Sequence, residues 1–160
     1  MPDGSTPGRS RSRWRHGRWG FAAAHGPGPS IHVFNAARTE EYLRFDVFGR
    51  VLHYHYILNA EGHNVLWGYD PDVNGPMIPW VVAALLHRLP VMLRRAGTEV
   101  LADEIEQQGW DSSVLPDVAR EAAAALAPRE DDMVRAREDG LDVRMETHPS
   151  AVQYGGGGEY

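Results

Sequence analysis

The sequence predicts an α+β protein in which a small antiparallel sheet, a β-hairpin or meander, packs on an amphipathic helix and is followed by further helices. Residues 42–58 contain two alternating apolar and polar runs separated by a Gly-X pair. Residues 77–97 place apolar side chains at helical spacing, and two further helical segments follow. Each of these elements has one apolar face to bury, which is the requirement that layered packing satisfies.

The hairpin is formed by "YLRFDVF" (42–48) and "VLHYHYIL" (51–58), joined by Gly49–Arg50. A Gly-X pair between two such runs is typical of a two-residue type II′ turn, because glycine accepts the positive φ of the first turn position. Counting outward from this turn pairs Asp46 with His53 and Arg44 with His55. The same count pairs Val47 with Leu52 and Phe48 with Val51.

Side chains alternate between the two faces of a strand, so the pairing also divides the hairpin into faces. One face is apolar and is predicted to be the core: Leu43, Phe45, Val47, Leu52, Tyr54, Tyr56 and Leu58. The other face is mixed and is expected to be solvated: Tyr42, Arg44, Asp46, Phe48, Val51, His53, His55 and Ile57. The "HYHY" motif therefore separates into two core tyrosines and two histidines on the opposite face.

The remaining elements follow the same local rules. Residues 64–69 predict a third strand, and residues 31–36 a short edge strand. The helix at 77–97 has Gly97 placed as its C-cap and Pro90 inside it, where a kink is expected. Residues 99–109 and 116–127 predict two more helices, and 141–147 could form a late strand.

The ends of the chain differ in composition from its centre. Residues 1–30 are rich in Gly, Pro, Ser and Arg and have no apolar period, so a disordered basic tail is predicted there. This segment has two alternative interpretations. It could be an arm that binds nucleic acid through Trp14 and Trp19, or it could be upstream sequence translated from a misassigned start codon. The prediction is a single α+β domain over residues 31–148, with a flexible Gly-rich tail at 149–160.

Composition restricts the class of protein. The chain of 160 residues has no cysteine, which excludes disulfides and thiolate metal sites, and all 16 basic residues are arginine. The absence of lysine indicates a GC-rich, bacterial genome, and a cytoplasmic location is expected. The net charge of −6 disfavours nucleic-acid binding, and no apolar run approaches the roughly 20 residues of a membrane span, so no membrane association is expected.

The candidate site is the polar face of the hairpin. His53 and His55 project together from one strand, which is the right geometry for a shared metal ion, and Asp46 or His63 could supply a further ligand. Tyr42 and Asp70 are additional candidates. Such a set would suit Zn or Fe(II), whereas the cationic side chain of Arg44 on the same face argues against a metal. The metal-free alternative is a ligand-binding surface of Arg44, Asp46, His53 and His55 that holds an anion, and this interpretation requires no cofactor.

Other motifs are weaker. "DPDVNG" (70–75) has the alternating oxygens and sixth-position glycine of a calcium loop, but the twelfth position is Val81 rather than glutamate. We interpret these residues as a turn whose oxygens satisfy backbone N–H groups between sheet and helix. No phosphate-binding glycine motif or nucleophile elbow is present in the sequence, which leaves open whether the protein is an enzyme.

Residues from about Phe34 to Gly97 resemble a small bacterial domain family of unknown function. The resemblance rests on "LRFDVFGRVLHYHYI", "DPDVNGPMIPW" and "LLHRLPVMLRRAG". It implies no activity. The expected function is a small soluble bacterial accessory domain that binds a protein partner or small ligand, and a homodimer is one expected form. The alternative is a metal-dependent (Zn or Fe) protein or enzyme that uses the His-x-His pair.

Overall fold

The structure, a computed structural model, describes residues 13–16, 19–25, 28–49, 51–127 and 138. It contains a six-stranded antiparallel sheet whose strands neighbour one another in chain order. The strands are β1 (Arg13–His16), β2 (Trp19–His25), β3 (Pro29–Asn35), β4 (Glu41–Asp46), β5 (His53–Leu58) and β6 (His63–Gly68). The helices are α1 (Pro71–Asn74), α2 (Met77–Arg95), α3 (Glu99–Gln108) and α4 (Leu115–Leu126). The α+β class and the order of sheet before helices are confirmed.

The sheet is wider than the sequence predicts. Residues 1–30 are expected to be disordered, but β1 and β2 form within them, and β3 begins at Pro29. The predicted edge strand at 31–36 is therefore inside the sheet, between β2 and β4. An edge strand presents unpaired backbone groups, and these can recruit a segment that has no apolar period of its own. The candidate strand at 141–147 and the tail at 149–160 lie outside the described residues.

The predicted hairpin register is confirmed in the ladder between β4 and β5, where Arg44 pairs with His55 and Asp46 with His53. Gly49 has a φ of +73°, as the turn requires. The ladder ends earlier than expected, so Val47 and Leu52 are not ladder partners. The Val47 N–H donates to the Pro29 carbonyl at 3.3 Å, and the Leu52 carbonyl accepts from the Tyr69 N–H at 2.8 Å. The backbone groups at the end of the hairpin thus bond outward, to the neighbouring parts of the sheet.

The core lies between the apolar face of the sheet and α2. Leu43, Phe45 and Val47 are fully buried, as the face assignment predicts. The indole of Trp80 on α2 packs on this face, with its ring 5.2 Å from that of Tyr54 and 5.0 Å from that of Tyr69. Helix α4 also contacts the sheet, at β2 and β3. The helices α2 and α4 therefore share one core with the apolar face of the sheet.

Helix α2 is by length and mean hydropathy (1.3) apolar enough to cross a membrane. Its apolar stripe is buried in the structure, where Ile78, Val81, Leu85, Leu89 and Leu93 are fully enclosed. This is the packing of a core helix. The helix continues through Pro90 and ends as predicted, with Gly97 at a φ of +78° just after its last turn.

Candidate functional site

Three polar side chains meet on the face of the sheet opposite the helices. Asp46 lies on β4, and His53 and His55 lie on β5, where the confirmed register sets them beside it. The Oδ2 atom of Asp46 is 3.0 Å from Nε2 of His53 and 3.0 Å from Nε2 of His55. One ligand-type atom from each residue lies within 4.8 Å of the other two. We call this group the Asp–His–His cluster.

The other ring nitrogen of each histidine contacts an oxygen that can only accept. His53 Nδ1 is 2.8 Å from the Val51 carbonyl oxygen, and His55 Nδ1 is 2.9 Å from Oδ1 of Asn64. Both Nδ1 atoms must therefore carry the hydrogen, which in a neutral imidazole leaves the lone pair on Nε2. Both lone pairs then face the same carboxylate oxygen. A positive charge between them, a proton or a metal ion, is required to make this arrangement favourable.

The cluster is covered, which corrects the expectation that this face is solvated. Apart from tyrosines, the buried polar side chains among the described residues are Ser30, Asp46 and His55, at 8%, 8% and 6% exposure; two of them belong to the cluster and Ser30 contacts it. Ser30 Oγ donates to Asp46 Oδ1 at 2.5 Å. The carboxylate is thus held on one oxygen by a hydroxyl, while its other oxygen faces the two imidazoles. Buried carboxylates require this kind of compensation.

Arg44 lies at the side of the cluster. Its Nε is 3.6 Å from Asp46 Oδ2, and its Nη2 is 3.5 Å from His55 Nε2. Both distances are at or beyond the limit of a hydrogen bond, and Nε is buried with no hydrogen-bond partner among the described residues. The predicted placement of Arg44 beside His55 is therefore observed, and the guanidinium contributes a positive charge near the metal-type ligands.

The remaining candidates are not part of the cluster. His63 starts β6 opposite Leu58, three positions from Leu66, the residue that pairs with His55. That offset is about 10 Å along the strand, and the alternation of side chains sends His63 to the other face. The Tyr42 hydroxyl donates to Glu40 Oε2 at 3.0 Å.

The turn at Asp70 is also accounted for without a metal. Its Oδ1 accepts from the Asp72 N–H at 2.9 Å and so caps α1, while Asn74 Nδ2 donates to the Asp70 carbonyl at 3.0 Å. These oxygens satisfy local donors between the sheet and α2, as the sequence predicts.

Sequence reasoning missed the neighbours that support the cluster. Ser30 pairs with Asp46 across β3 and β4, and Asn64 lies two positions from Leu66 on β6. His32 pairs with Arg44 in the next row; its Nδ1 is 2.5 Å from Glu41 Oε1, and its ring stacks on Phe34 at 5.5 Å. The alternation of residues 30–34, once paired in register with β4, is the sequence signal that could have found Ser30 and His32.

The fold and site together define a small α+β domain in which a carboxylate and two imidazoles converge on the sheet face away from the helices. Residues 11–122 match the model of the family described as Domain of unknown function (DUF7700), and the chain belongs to this family. The match confirms the resemblance to an uncharacterised domain family and extends it beyond Phe34–Gly97 to all six strands. Neither a curated protein nor a solved structure matches the chain.

Proposed function

We propose that this domain binds one divalent transition-metal ion through Asp46, His53 and His55. The observation that carries the proposal is the direction of the two imidazoles, whose Nε2 atoms both point at Asp46 Oδ2 at 3.0 Å while both Nδ1 atoms are held by oxygen acceptors. Metal-binding histidines commonly donate their second ring N–H to a carbonyl or carboxylate, which fixes the tautomer and the ring orientation.

The spacing of the ligand atoms supports the same proposal. Two ligand atoms at right angles around an ion, as in the octahedral coordination that Fe²⁺ adopts, lie about 3.0 Å apart when the bonds are about 2.1 Å. This is the separation of each Nε2 from Asp46 Oδ2. Nitrogen and oxygen donors without a thiolate suit Zn²⁺ or Fe²⁺, and three protein ligands leave at least one coordination position open. Such a site is compatible with a metal-dependent enzyme as well as with a binding domain.

The test is to purify the protein without chelators, measure its metal content, and record its melting temperature with added Zn²⁺ or, under anaerobic conditions, Fe²⁺. We expect about one ion per chain and a rise in melting temperature, because an ion at a hundred times its Kd adds about 2.7 kcal/mol to the free energy of unfolding. His53→Ala and His55→Ala should each lose both effects.

The matched control is His87→Ala, since His87 is exposed on α2 and lies outside the cluster. It should retain metal and the rise in melting temperature. Metal-free protein whose melting temperature does not respond to either ion would contradict the proposal, as would equal losses in the His87 and His55 variants.

A second candidate is a metal-free site for a small anion or an acidic group of a protein partner. The observation that favours it is Arg44, whose guanidinium already lies 3.6 Å from the Asp46 carboxylate and offsets its charge. In this case, chloride or acetate should shift the imidazole NMR signals of His53 and His55 in metal-free protein, and Arg44→Gln should abolish the shifts. Unchanged imidazole signals in the wild type would exclude this candidate.

A further inference from the structure

The charges around the cluster are unbalanced once a metal is bound. A divalent ion with two neutral imidazoles and one carboxylate has a net charge of +1, and Arg44 adds a second positive charge beside it. Like charges held this close together repel each other, and more strongly in a partly buried site than in bulk water. The described residues that hydrogen-bond to the cluster provide a hydroxyl from Ser30, an amide oxygen from Asn64 and a backbone carbonyl from Val51, but no second carboxylate.

The guanidinium also has unused hydrogen-bonding capacity. Arg44 Nε is buried and has no hydrogen-bond partner among the described residues. Its Nη2 contact is with His55 Nε2 at 3.5 Å, and that lone pair is no longer an acceptor when it binds a metal. Metal binding would therefore leave two donors of a planar fork next to an open coordination position. A carboxylate fits such a fork in a bidentate manner.

We infer that the metal-loaded cluster binds a small carboxylate, with one oxygen on the ion and the group hydrogen-bonded to Arg44. This inference rests on the proposed metal site and names the class of ligand that the site takes. The carboxylate lies between the two positive charges and lowers their sum from +2 to +1, which gives a reason for an arginine beside metal-type ligands. Arg44 is then a binding residue for the anion and not a metal ligand.

The test uses Co²⁺ as a spectroscopic substitute, since its visible absorption reports changes in coordination. Cobalt-loaded protein is titrated with acetate, and in a separate arm with sulfate. We expect acetate to change the spectrum in a saturable manner and sulfate to leave it unchanged. Arg44→Gln should bind cobalt at the wild-type stoichiometry but bind acetate at least tenfold more weakly, and Arg44→Lys should recover only part of that loss.

Arg88→Gln is the matched control, because Arg88 is exposed on α2, and its response to acetate should equal that of the wild type. A cobalt spectrum that acetate does not change, or that changes equally in the wild type and Arg44→Gln, would overturn the inference while leaving the metal site intact. A saturable response to sulfate instead of acetate would overturn the assignment to a carboxylate. Protein that takes up no cobalt would overturn the inference and the proposed function together.

Discussion

His55 and Asp46 lie on neighbouring strands two residues out of direct register, and their Nε2 and Oδ2 atoms are 3.0 Å apart in a buried environment. This diagonal contact links the two strands through their polar faces, while Phe45 and Tyr54 link them through the core, with rings 6.0 Å apart. A buried polar contact stabilises the fold only when every atom in it is satisfied. Ser30 completes this contact by satisfying the second oxygen of the Asp46 carboxylate.

Ser30→Ala should destabilise the protein by about 1–3 kcal/mol, because it removes the hydroxyl that donates to the buried Asp46 carboxylate. The free energy of unfolding, measured by urea denaturation of metal-free protein, tests this. Ser113→Ala, at an exposed position, is the control and should have little effect. Equal stability of the two variants would mean that the hydroxyl contributes nothing to holding the carboxylate.

Neighbouring leucines on α2 test the packing of the helix on the sheet. Leu85 is fully buried, whereas Leu86 is 44% exposed. Leu85→Ala should lower the free energy of unfolding by about 2–5 kcal/mol, because it leaves a cavity in the core. Leu86→Ala should change it by less than about 0.5 kcal/mol. Similar losses in both variants would show that α2 presents a different face to the sheet.

Gly97 tests the end of α2, and Gly68 in β6 is its control. Gly97 has a φ of +78°, and the N–H groups of Gly97 and Thr98 bond to the carbonyls of Arg94 and Leu93. Gly97→Ala should cost about 1–2 kcal/mol in thermal or urea unfolding, since a side chain disfavours this left-handed conformation. Gly68→Ala, in β6 and with open space around an added Cβ, should be neutral or stabilising by up to about 1 kcal/mol. A neutral Gly97→Ala would contradict the assigned cap.

Alkaline titration tests the burial of the tyrosines. Burial, followed by the neighbouring Glu40 carboxylate, raises the pKa of Tyr42 to about 12, and burial with the nearby Asp70 raises the pKa of Tyr69 to about 12. The unfolded chain releases these protons near pH 10. The stabilisation that the protonated hydroxyls give the fold is therefore complete below pH 10 and is lost as the pH rises towards 12.

Absorbance at the tyrosinate band should accordingly show that some tyrosines of the folded protein ionise only above pH 11. In urea, all tyrosines should ionise near pH 10. Tyr42→Phe and Tyr69→Phe should each reduce the absorbance change above pH 11. A folded protein whose tyrosines all ionise near pH 10 would contradict the burial of these two side chains.

The central hairpin could be predicted from the sequence because its determinants are local. The turn glycine Gly49 predicts the register, the strand period separates Tyr54 and Tyr56 from His53 and His55, and Gly97 ends α2. These features depend on residues close together in the chain, for which backbone preferences and periodicity are sufficient.

The features that sequence reasoning missed depend on contacts between distant segments. The buried Asp46 carboxylate is compensated by a hydrogen bond from Ser30, on β3, and His55 is oriented by Asn64, on β6. Neither residue differs from an ordinary polar residue until the strands are paired. Strands β1 and β2 escape sequence reasoning for the same reason, since their composition has no apolar period and they form by pairing, β2 with β3 and β1 with β2.

The most direct test of the proposed site is a calorimetric titration of metal-stripped protein with Zn²⁺, comparing the wild type with Asp46→Asn and with the His53→Ala/His55→Ala double variant. The structure predicts one saturable site per chain in the wild type, binding at least tenfold weaker in Asp46→Asn, and no site in the double variant. The absence of saturable binding in the wild type, or equal binding in all three proteins, would contradict a metal site formed by these residues.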